Sequence, residues 1–320
     1  GWEHINLFQA DALQLNNFSE NSFDTVVINS VVQYFPNGLY LNEMLGQLVP
    51  LVKPGGKILF GDIRNLDLLH VHNAIVERDH LTQPMEVSEL VNRVQRRLLQ
   101  ETELCMSPAY FDRLLQEYSE LARVDVHVKR GLGDNEMMRY RYDVVITKKA
   151  CSSMPSGEME PIDWHAYDSL NTIKHQLQSA QQRVFGFYGV PNFRIADDLK
   201  FAEGLANWKP TRKIYSNKSP GTISETALRT QTDFEQLLRF AESLGHNVGV
   251  TWSQEHPEYI DVMFSRNPLP SVRARGGYKQ NHLINYPHLD AVGQELSTEL
   301  SAFLKNTLSD YMVPSLFIAI

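Results

Sequence analysis

Short strand-like runs and longer stretches of helical periodicity follow one another through the first part of the chain. Residues 5–10, 23–29 and 57–62 have the apolar, β-branched and aromatic content of buried strands. Between the last two, residues 39–52 have apolar side chains at helical spacing, and a Lys-Pro-Gly-Gly sequence ends that pattern. A strand, a helix and a strand of these lengths predict a parallel βαβ unit and therefore an α/β fold.

Further helices and a hairpin are predicted downstream of this unit. Residues 66–80 and 85–101 have helical periodicity, and Ser107, followed by a proline, is a typical helix start. Two alternating runs at 124–129 and 140–147 flank a segment rich in turn-forming residues. They predict an antiparallel hairpin at the end of the sheet.

Residues 150–162 combine Ser, Pro and Gly with little periodicity, and we predict a linker there. Beyond it, helices and strands alternate in an order that indicates an α+β region. The predicted helices span 168–182, 196–207, 231–244 and 293–308, and the predicted strands span 184–188, 247–252 and 259–264.

Composition excludes several classes of protein. The 320 residues are 42% hydrophobic and 21% charged, which excludes disordered and fibrous chains. A formal charge of -8 without a dense basic run argues against a protein that tracks nucleic-acid phosphates. Cys105 and Cys151 form no zinc or redox motif. The sequence has no apolar stretch long enough to cross a bilayer and no signal peptide, so we predict a soluble, cytoplasmic protein.

Polar side chains follow the predicted strands of the first region, where an open α/β sheet binds its ligands. Asp11 and the backbone amide of Ala12 can act as acceptor and donor for an adenine ring, and a plain turn is the alternative. Asn29, Gln33 and Tyr34 follow the second strand and suit the orientation of a nucleophile, unless Tyr34 and Phe35 are core residues at a helix start.

The predicted helix at 66–80 carries two histidines that we considered as metal ligands. His70 and His72 are two positions apart and therefore point in different directions, which argues against a metal site. Asn73 and Glu77 share a helix face with His70, and we expect that face to be solvated.

Three motifs in order resemble one family. Residues 23–65, with FDTVVINSVVQYFP and LVKPGGKILFGDIRN, resemble the S-adenosylmethionine-dependent N-methyltransferase domain embedded in nonribosomal peptide synthetases. Residues 130–147, RGLGDNEMMRYRYDVVIT, resemble the closing motif of that family, with Met137 in the place of a leucine. Residues 303–314, FLKNTLSDYMVP, are similar to a late adenylation-domain motif, with Ser309 in the place of its first proline.

The resemblance covers nearly the whole chain and implies its organisation. The fold is expected to be a class I, Rossmann-like methyltransferase sheet, truncated at its N-terminus, followed by an α+β accessory region. Residues 1–150 form the methyltransferase core without its first strand and Gly-rich loop, 151–292 the accessory region, and 293–320 the start of the adenylation C-terminal subdomain. We expect such an internal fragment to bind S-adenosylmethionine weakly or not at all on its own.

The resemblance also implies an activity: methyl transfer from S-adenosylmethionine to the amine of an aminoacyl thioester. The partners are a phosphopantetheinylated carrier domain that bears the aminoacyl group and the flanking adenylation domain of the same polypeptide; neither nucleic acid nor a membrane is expected. An oxygen or carbon acceptor, or a non-catalytic docking or spacer module, are the alternatives.

The residues that the resemblance places in the site fall into three groups. Those next to the reacting atoms are Asn29, Gln33, Tyr34, Asp62, Arg64 and Asn65. Those next to the cofactor are Asp11, Ala12, Asn29 and Ser30. Those that close the substrate pocket from the hairpin are Asn135, Glu136, Arg139 and Tyr140.

Overall fold

A computed structural model describes most of the chain. The described residues are 3–150, 160–164, 170–179, 184–207, 214–215, 225–253, 256, 258–272, 283–287, 300 and 303–304. The predicted linker at 150–162, the helix at 293–308 and the motif at 303–314 therefore lie almost entirely outside the described residues. The division of the chain at 150 and 292 stays a prediction.

The first part of the chain forms an α/β sheet. The strands of this part of the chain are β1 (Phe23–Asn29), β2 (Val52–Asn65), β3 (Met85–Glu86), β4 (Cys105–Met106), β5 (Leu121–Val128) and β6 (Arg141–Lys148), and all but β3 belong to this sheet. Its helices are α1 (Gly38–Leu51), α2 (Leu69–Asp79), α3 (Val87–Leu99), α4 (Pro108–Glu117) and α5 (Glu136–Tyr140), with short 3-10 turns at Val32–Tyr34 and Leu66–Leu68.

The strand order in this sheet is β1-β2-β6-β5, and β4 pairs with the end of β2. β1 and β2 are parallel and joined by α1, which confirms the predicted βαβ unit. β5 and β6 are antiparallel and form the predicted hairpin. The carboxyl ends of β1, β2 and β5 meet the start of β6 at one edge of the sheet.

The helix α1 forms where its apolar spacing predicts it, and polar groups satisfy both of its ends. The side chain of Asn37 accepts a hydrogen bond from the amide of Tyr40 at the first turn. At the other end, the ammonium of Lys148 donates to the carbonyl oxygens of Val49 and Val52 at 3.1 and 2.8 Å. Its apolar stripe is buried against the sheet and supplies part of the core.

The strand predicted at residues 5–10 is wrong. These residues form no strand and are exposed: Leu7 is 92% and Phe8 73% accessible. A strand needs a hydrogen-bonded neighbour, and the structure pairs no described segment with this run. Phe8 instead contacts Phe18, which in turn contacts Phe23, so the segment lies over β1 through aromatic contacts.

The solvated face predicted on α2 is also wrong. Asn73 is 1% exposed, and Glu77 pairs with Arg97 of α3 at 3.3 Å. The expectation fails because α2 packs between α3 and a helix from the second part of the chain. Among the described residues, no group of three His, Cys, Asp or Glu side chains is placed to hold a metal.

The second part of the chain is α+β, as predicted. Its elements are β7 (Glu160–Asp163), α6 (Leu170–Ser179), β8 (Phe185–Pro191), α7 (Ala196–Ala206), β9 (Ile214–Tyr215), α8 (Glu225–Ser243), β10 (Asn247–Trp252) and β11 (Tyr259–Ser265). The sheet order is β10-β11-β8-β7. In the parts of the chain described above, no helix has the length and apolar character to cross a membrane.

The second sheet contacts the first where β10 lies against β5. The amide of Val126 in β5 donates to the carbonyl of Val272, and Arg123 donates to the carbonyl of Leu269, so a segment after β11 covers the outer edge of β5. β3 and β9 pair as a separate two-stranded ladder. α7 packs on α2, where Arg78 lies 5.4 Å from the ring centre of Phe201. These contacts attach the accessory region to the first sheet at several places.

Candidate active site

Five polar residues meet at the edge of the sheet where β1, β2 and β5 end. The carboxylate of Asp62 accepts hydrogen bonds from the Ser30 hydroxyl at 2.5 Å and the Asn29 amide at 3.3 Å. The ammonium of Lys129 lies 2.5 Å from Asp62 and 2.6 Å from Asp143. We refer to Asn29, Ser30, Asp62, Lys129 and Asp143 as the Asp62 cluster.

A bulge in β2 directs Asp62 into this cluster. Between Phe60 and Ile63, β2 has one residue more than its partner β6, which is the definition of a β-bulge. Asp62 has a φ of 61° and Ser30 a φ of 54°, both in the left-handed region that side chains other than Gly, Asn and Asp rarely adopt. The backbone amide of Asp62 donates a hydrogen bond to the carboxylate of Asp143 at 3.0 Å, so the backbone of Asp62 is held as well as its side chain. Strained backbone and bulges of this kind concentrate at functional sites.

Gly61 in the bulge makes room for Asn29. A Cβ atom at Gly61 would lie 1.9 Å from the side-chain oxygen of Asn29. The amide of Ser30 donates to the carbonyl of Gly61 at 3.1 Å, which ties the ends of β1 and β2 together. Glycine is therefore required here by close approach.

Within the Asp62 cluster, Asp62 and Lys129 stabilise each other in their ionised forms. Burial raises the pKa of the Asp62 carboxyl, but the hydrogen bonds from Lys129, Ser30 and Asn29 outweigh it and keep that pKa below its ordinary value. Burial lowers the pKa of Lys129, and its bonds to Asp143 and Asp62 reverse the effect and raise it. Two carboxylates against one ammonium leave an excess of one negative charge.

Asp11 and Ala12 lie at the same edge of the sheet, beside the first turn of α1. The carboxylate of Asp11 accepts from the amide of Leu13 at 3.0 Å, as in a plain turn, and from the hydroxyl of Tyr40 at 2.5 Å. The Tyr40 hydroxyl lowers the pKa of the exposed Asp11 carboxyl, and the Leu13 amide adds to this. Burial raises the pKa of Tyr40, and Asp11 adds to that rise.

Gln33 and Tyr34 lie in the 3-10 turn after β1, with very different exposure. Gln33 is 5% exposed, and its carbonyl accepts from the amide of Leu104. Tyr34 is 72% exposed and Phe35 7%, so the alternative interpretation as core residues is wrong for Tyr34 and confirmed for Phe35. The placement leaves Tyr34 accessible to an acceptor, and its role stays a prediction.

Arg64 and Asn65 are bonded to groups outside the Asp62 cluster. The Arg64 guanidinium pairs with Glu101 at 2.8 Å and Glu103 at 3.1 Å. The side chain of Asn65 accepts from the amide of Asp67 and begins the turn at 66–68. These contacts attach the end of β2 to neighbouring loops, and they do not support the predicted place of Arg64 and Asn65 next to the reacting atoms.

The closing motif also makes contacts within the protein. Asn135 caps α5 by accepting from the amide of Met138, and Glu136 lies 3.3 Å from Arg141. Arg139 and Tyr140 both bind the buried Asp198 of α7, at 2.8 and 2.7 Å. The structure therefore joins Arg139 and Tyr140 to the accessory region, and substrate binding by these residues stays a prediction.

Lys129, Asp143 and Asp198 belong to these networks but were missed by the sequence analysis. Lys129 directly follows a predicted alternating strand, and Asp143 lies inside the closing motif RYRYDVV. Their positions in the sequence were therefore a signal that could have identified both. Their partners are distant in sequence and meet only when β2, β5 and β6 pair. Asp198 has no comparable marker in the sequence.

Comparisons with known proteins agree with this architecture. Residues 1–60 match the family described as a methyltransferase domain. Chondramide synthase cmdD of Chondromyces crocatus is 29% identical over 98% of this chain and 8% of its own length. The probable non-canonical nonribosomal peptide synthetase CymA of Salinispora arenicola is 27% identical over 98% of this chain and 4% of its own length. The chain thus spans less than a tenth of the length of these relatives.

Solved structures add little. An O-methyltransferase family protein from Burkholderia thailandensis has a TM-score of 0.28 and 22% identity, over 46% of this chain and 36% of that one. A likeness of this size supports no argument, so the fold rests on the topology described above.

Residues 1–60 match a methyltransferase domain, and the α/β sheet with a polar cluster at its carboxyl edge agrees with that match. Over 98% of its length the chain is similar to these two nonribosomal peptide synthetases, so the comparisons support an S-adenosylmethionine-dependent methyltransferase domain of that synthetase type.

The residues at the edge of the sheet fit a cofactor of this chemistry. The excess negative charge of the Asp62 cluster suits a positively charged sulfonium, and Asp11 offers a second carboxylate for a hydrogen-bond donor on adenine. The hydroxyl of Tyr40 already occupies one oxygen of Asp11. An adenine ring must therefore use the other oxygen or displace Tyr40.

Proposed function

We propose that the domain transfers a methyl group from S-adenosylmethionine to the amine of an aminoacyl thioester. The acceptor would be carried by the phosphopantetheine arm of a carrier domain, and the flanking adenylation domain of the same polypeptide would have selected the amino acid. Homology to nonribosomal peptide synthetases over 98% of the chain supports this setting. The observation that carries the choice of reaction is the contact of the Asp62 carboxylate, at the bulge, with Lys129, Ser30 and Asn29.

The charge state of Asp62 favours a nitrogen acceptor. A carbon acceptor needs a general base whose pKa lies near the working pH, and a lowered pKa makes Asp62 a poor base. An amine needs much less help, because the α-amino group has a pKa of about 7.7–8.0 and is partly neutral at pH 7. What the amine needs is orientation of its lone pair.

Asp62 can provide this orientation. A carboxylate has about four acceptor positions, and Lys129, Ser30 and Asn29 fill three of those on Asp62. The remaining position would accept one N–H of the amine and hold its lone pair in line with the methyl group. Alignment of reacting atoms of this kind contributes about 7–11 kcal/mol to the lowering of a barrier.

The other residues would bind the two ligands. Asp11 and Ala12 would hold the adenine, Asn29 and Ser30 the part of the cofactor near the end of β1, and the exposed Tyr34 the acceptor. When bound, the cofactor supplies a methyl group on a positively charged sulfur. The residues of the chain bind it, orient the amine and exclude water.

The test uses the synthetase module that contains this chain, with its carrier domain loaded with an aminoacyl group. Mass spectrometry with fragmentation would locate one added methyl group on the amine nitrogen, and Asp62→Asn would lower kcat. The matched control, Asp24→Asn, removes a carboxylate from the exposed Lys53–Asp24 pair and should leave transfer unchanged. A methyl group on oxygen or carbon would contradict the proposal. No transfer and no cofactor binding would instead indicate a docking or spacer module.

A further inference from the structure

Arg194 connects the accessory region to the backbone beside the Asp62 cluster. It lies between β8 and α7, and its guanidinium donates to the carbonyl oxygens of Lys129 and, at 2.5 Å, of Gly131. Its own segment is fixed, since the amide of Asn192 donates to the carbonyl of Glu258 at 2.7 Å. The fork of a guanidinium is suited to holding two carbonyl groups in one geometry.

Lys129 links Arg194 to the Asp62 cluster. Its carbonyl is bound by Arg194, while its ammonium lies 2.5 Å from Asp62 and 2.6 Å from Asp143. One residue therefore contacts the accessory region through its backbone and the cluster through its side chain. A displacement of the backbone at 129 would move the ammonium away from Asp62.

We infer that Arg194 is a positioning residue, which holds the backbone of Lys129 so that its ammonium stays against Asp62. The accessory region would thus complete the active site and would not be a spacer. This inference rests on the proposed function in one respect, that Asp62 serves the transfer.

The junction lies at the wall of a small pocket. This pocket, of about 30 Å³, is lined by Lys129, Arg130 and Arg194, among other residues. The hydrogen bond from Arg194 restrains the carbonyl of Lys129 directly after the end of β5.

Arg130 provides a matched control at the same interface. It contacts the accessory region through Glu235 at 3.1 Å and Glu242 at 2.6 Å, both on α8. Like Arg194 it is a partly buried arginine, but its guanidinium binds carboxylates of α8 and not the backbone of Lys129. Its loss should loosen the interface without releasing Lys129.

The experiment compares Arg194→Met, Arg194→Lys and Arg130→Met in the 320-residue chain. The first readout is amide hydrogen exchange at neutral pH, because the amide of Asp62 donates to Asp143 inside the cluster. We expect exchange at Asp62 to become at least about tenfold faster in Arg194→Met, to change less in Arg194→Lys, which keeps one donor group, and to stay unchanged in Arg130→Met. A tenfold change corresponds to about 1.4 kcal/mol.

The second readout is the titration of the Asp62 carboxyl carbon by NMR, assigned with Asp62→Asn. The groups that face it are Lys129, directly after β5, Asp143 of β6, and the neutral Asn29 and Ser30 at the end of β1. The midpoint should shift upward in Arg194→Met, in the direction produced by Lys129→Met, and not in Arg130→Met. A merely structural arginine would not change this midpoint selectively.

Wild-type exchange and titration in a folded Arg194→Met protein would overturn the inference, as would equal effects of Arg130→Met. Should Arg194→Met not fold, Arg194→Lys decides, and wild-type behaviour of that variant overturns the inference. Neither readout requires methyl transfer. A failure of the proposed function would appear in the transfer assay alone and is distinguishable from a failure of this inference.

Discussion

Replacing Asp62 by asparagine removes one charge from the Asp62 cluster and keeps the shape of the side chain. Asparagine tolerates the left-handed backbone at this position, so the change tests the charge with little added strain. The side chains of Asp62 and Lys129 are only 9% and 17% exposed. Their ion pair is therefore screened far less by solvent than a surface pair.

The expected loss of stability follows from what remains around Lys129. Removing one partner of a buried ion pair costs about 3–5 kcal/mol when the other charge is left unpaired. Here Lys129 keeps Asp143 at 2.6 Å, so the cost should be nearer that of one charged hydrogen bond. We expect Asp62→Asn to lower the free energy of unfolding by about 1.5–3 kcal/mol.

The control is a pair of the same kind on the surface. Lys53 and Asp24 lie 2.8 Å apart with side chains 43% and 82% exposed, and Asp24→Asn should cost about 0–1 kcal/mol. Native-state hydrogen exchange of β2 and β6 amides measures the opening of the sheet itself, so the two parts of the chain need not unfold together. Equal losses in Asp62→Asn and Asp24→Asn would refute the reasoning.

The difference between wild type and Asp62→Asn should also depend on pH in one direction. Because the pKa of Asp62 is lowered in the folded state, its contribution is present above the ordinary aspartate value of 3.8. It is lost as the pH falls through the lower, folded-state pKa. The two proteins should therefore differ most near neutral pH and converge in acid.

Three further predictions concern single positions. In the synthetase module, Gly61→Ala should destabilise the sheet by about 1–3 kcal/mol and weaken cofactor binding by displacing Asn29. Gly133→Ala, with no atom within 4 Å of its new methyl group, should do neither. Calorimetry of both variants of the module checks this, and similar effects would contradict it. Burial raises the pKa of the Cys105 thiol to about 12, so the thiol should not react with iodoacetamide at pH 8 in the folded protein. Peptide mapping should find Cys105 unmodified in the folded protein and modified in urea. Modification of the folded protein would show that the thiol is accessible. Tyr34→Phe should slow transfer without changing cofactor affinity, because its exposed hydroxyl is free to meet the acceptor; an equal loss of both would argue for contact with the cofactor.

Local pattern was sufficient for most elements of the first sheet. The apolar spacing of α1 and the alternation in β5 and β6 reflect burial against the core, and the structure confirms all three. The strand predicted at 5–10 was wrong because apolar side chains in a segment do not show whether a partner strand lies beside it. The face of α2 failed because its polar residues are covered by elements distant in sequence, which periodicity does not detect.

The sequence predicted only those residues of the site that follow from the order and direction of the strands. The rule that ligands bind at the carboxyl ends of strands led to Asn29, Ser30 and Asp62, which the structure brings together. The same rule placed Arg64 there, but Arg64 pairs with Glu101 and Glu103. Lys129 joins the Asp62 cluster through register across β2, β6 and β5, which no local pattern reveals.

The bulge gives a physical reason for the charge of Asp62. In a regular strand, the side chain of Asp62 would point to the face opposite to that of its neighbours, and its backbone would pair with β6. The extra residue of the bulge turns the carboxylate towards Ser30 and Lys129 and the backbone amide towards Asp143. The hydrogen bonds from Lys129, Ser30 and Asn29 favour the ionised form, so the geometry that brings the carboxylate to the site also makes it a poor base near neutral pH. A site arranged in this way can accept a hydrogen bond from a nucleophile that has already lost its proton, and a partly neutral amine meets that requirement where a carbon acid does not.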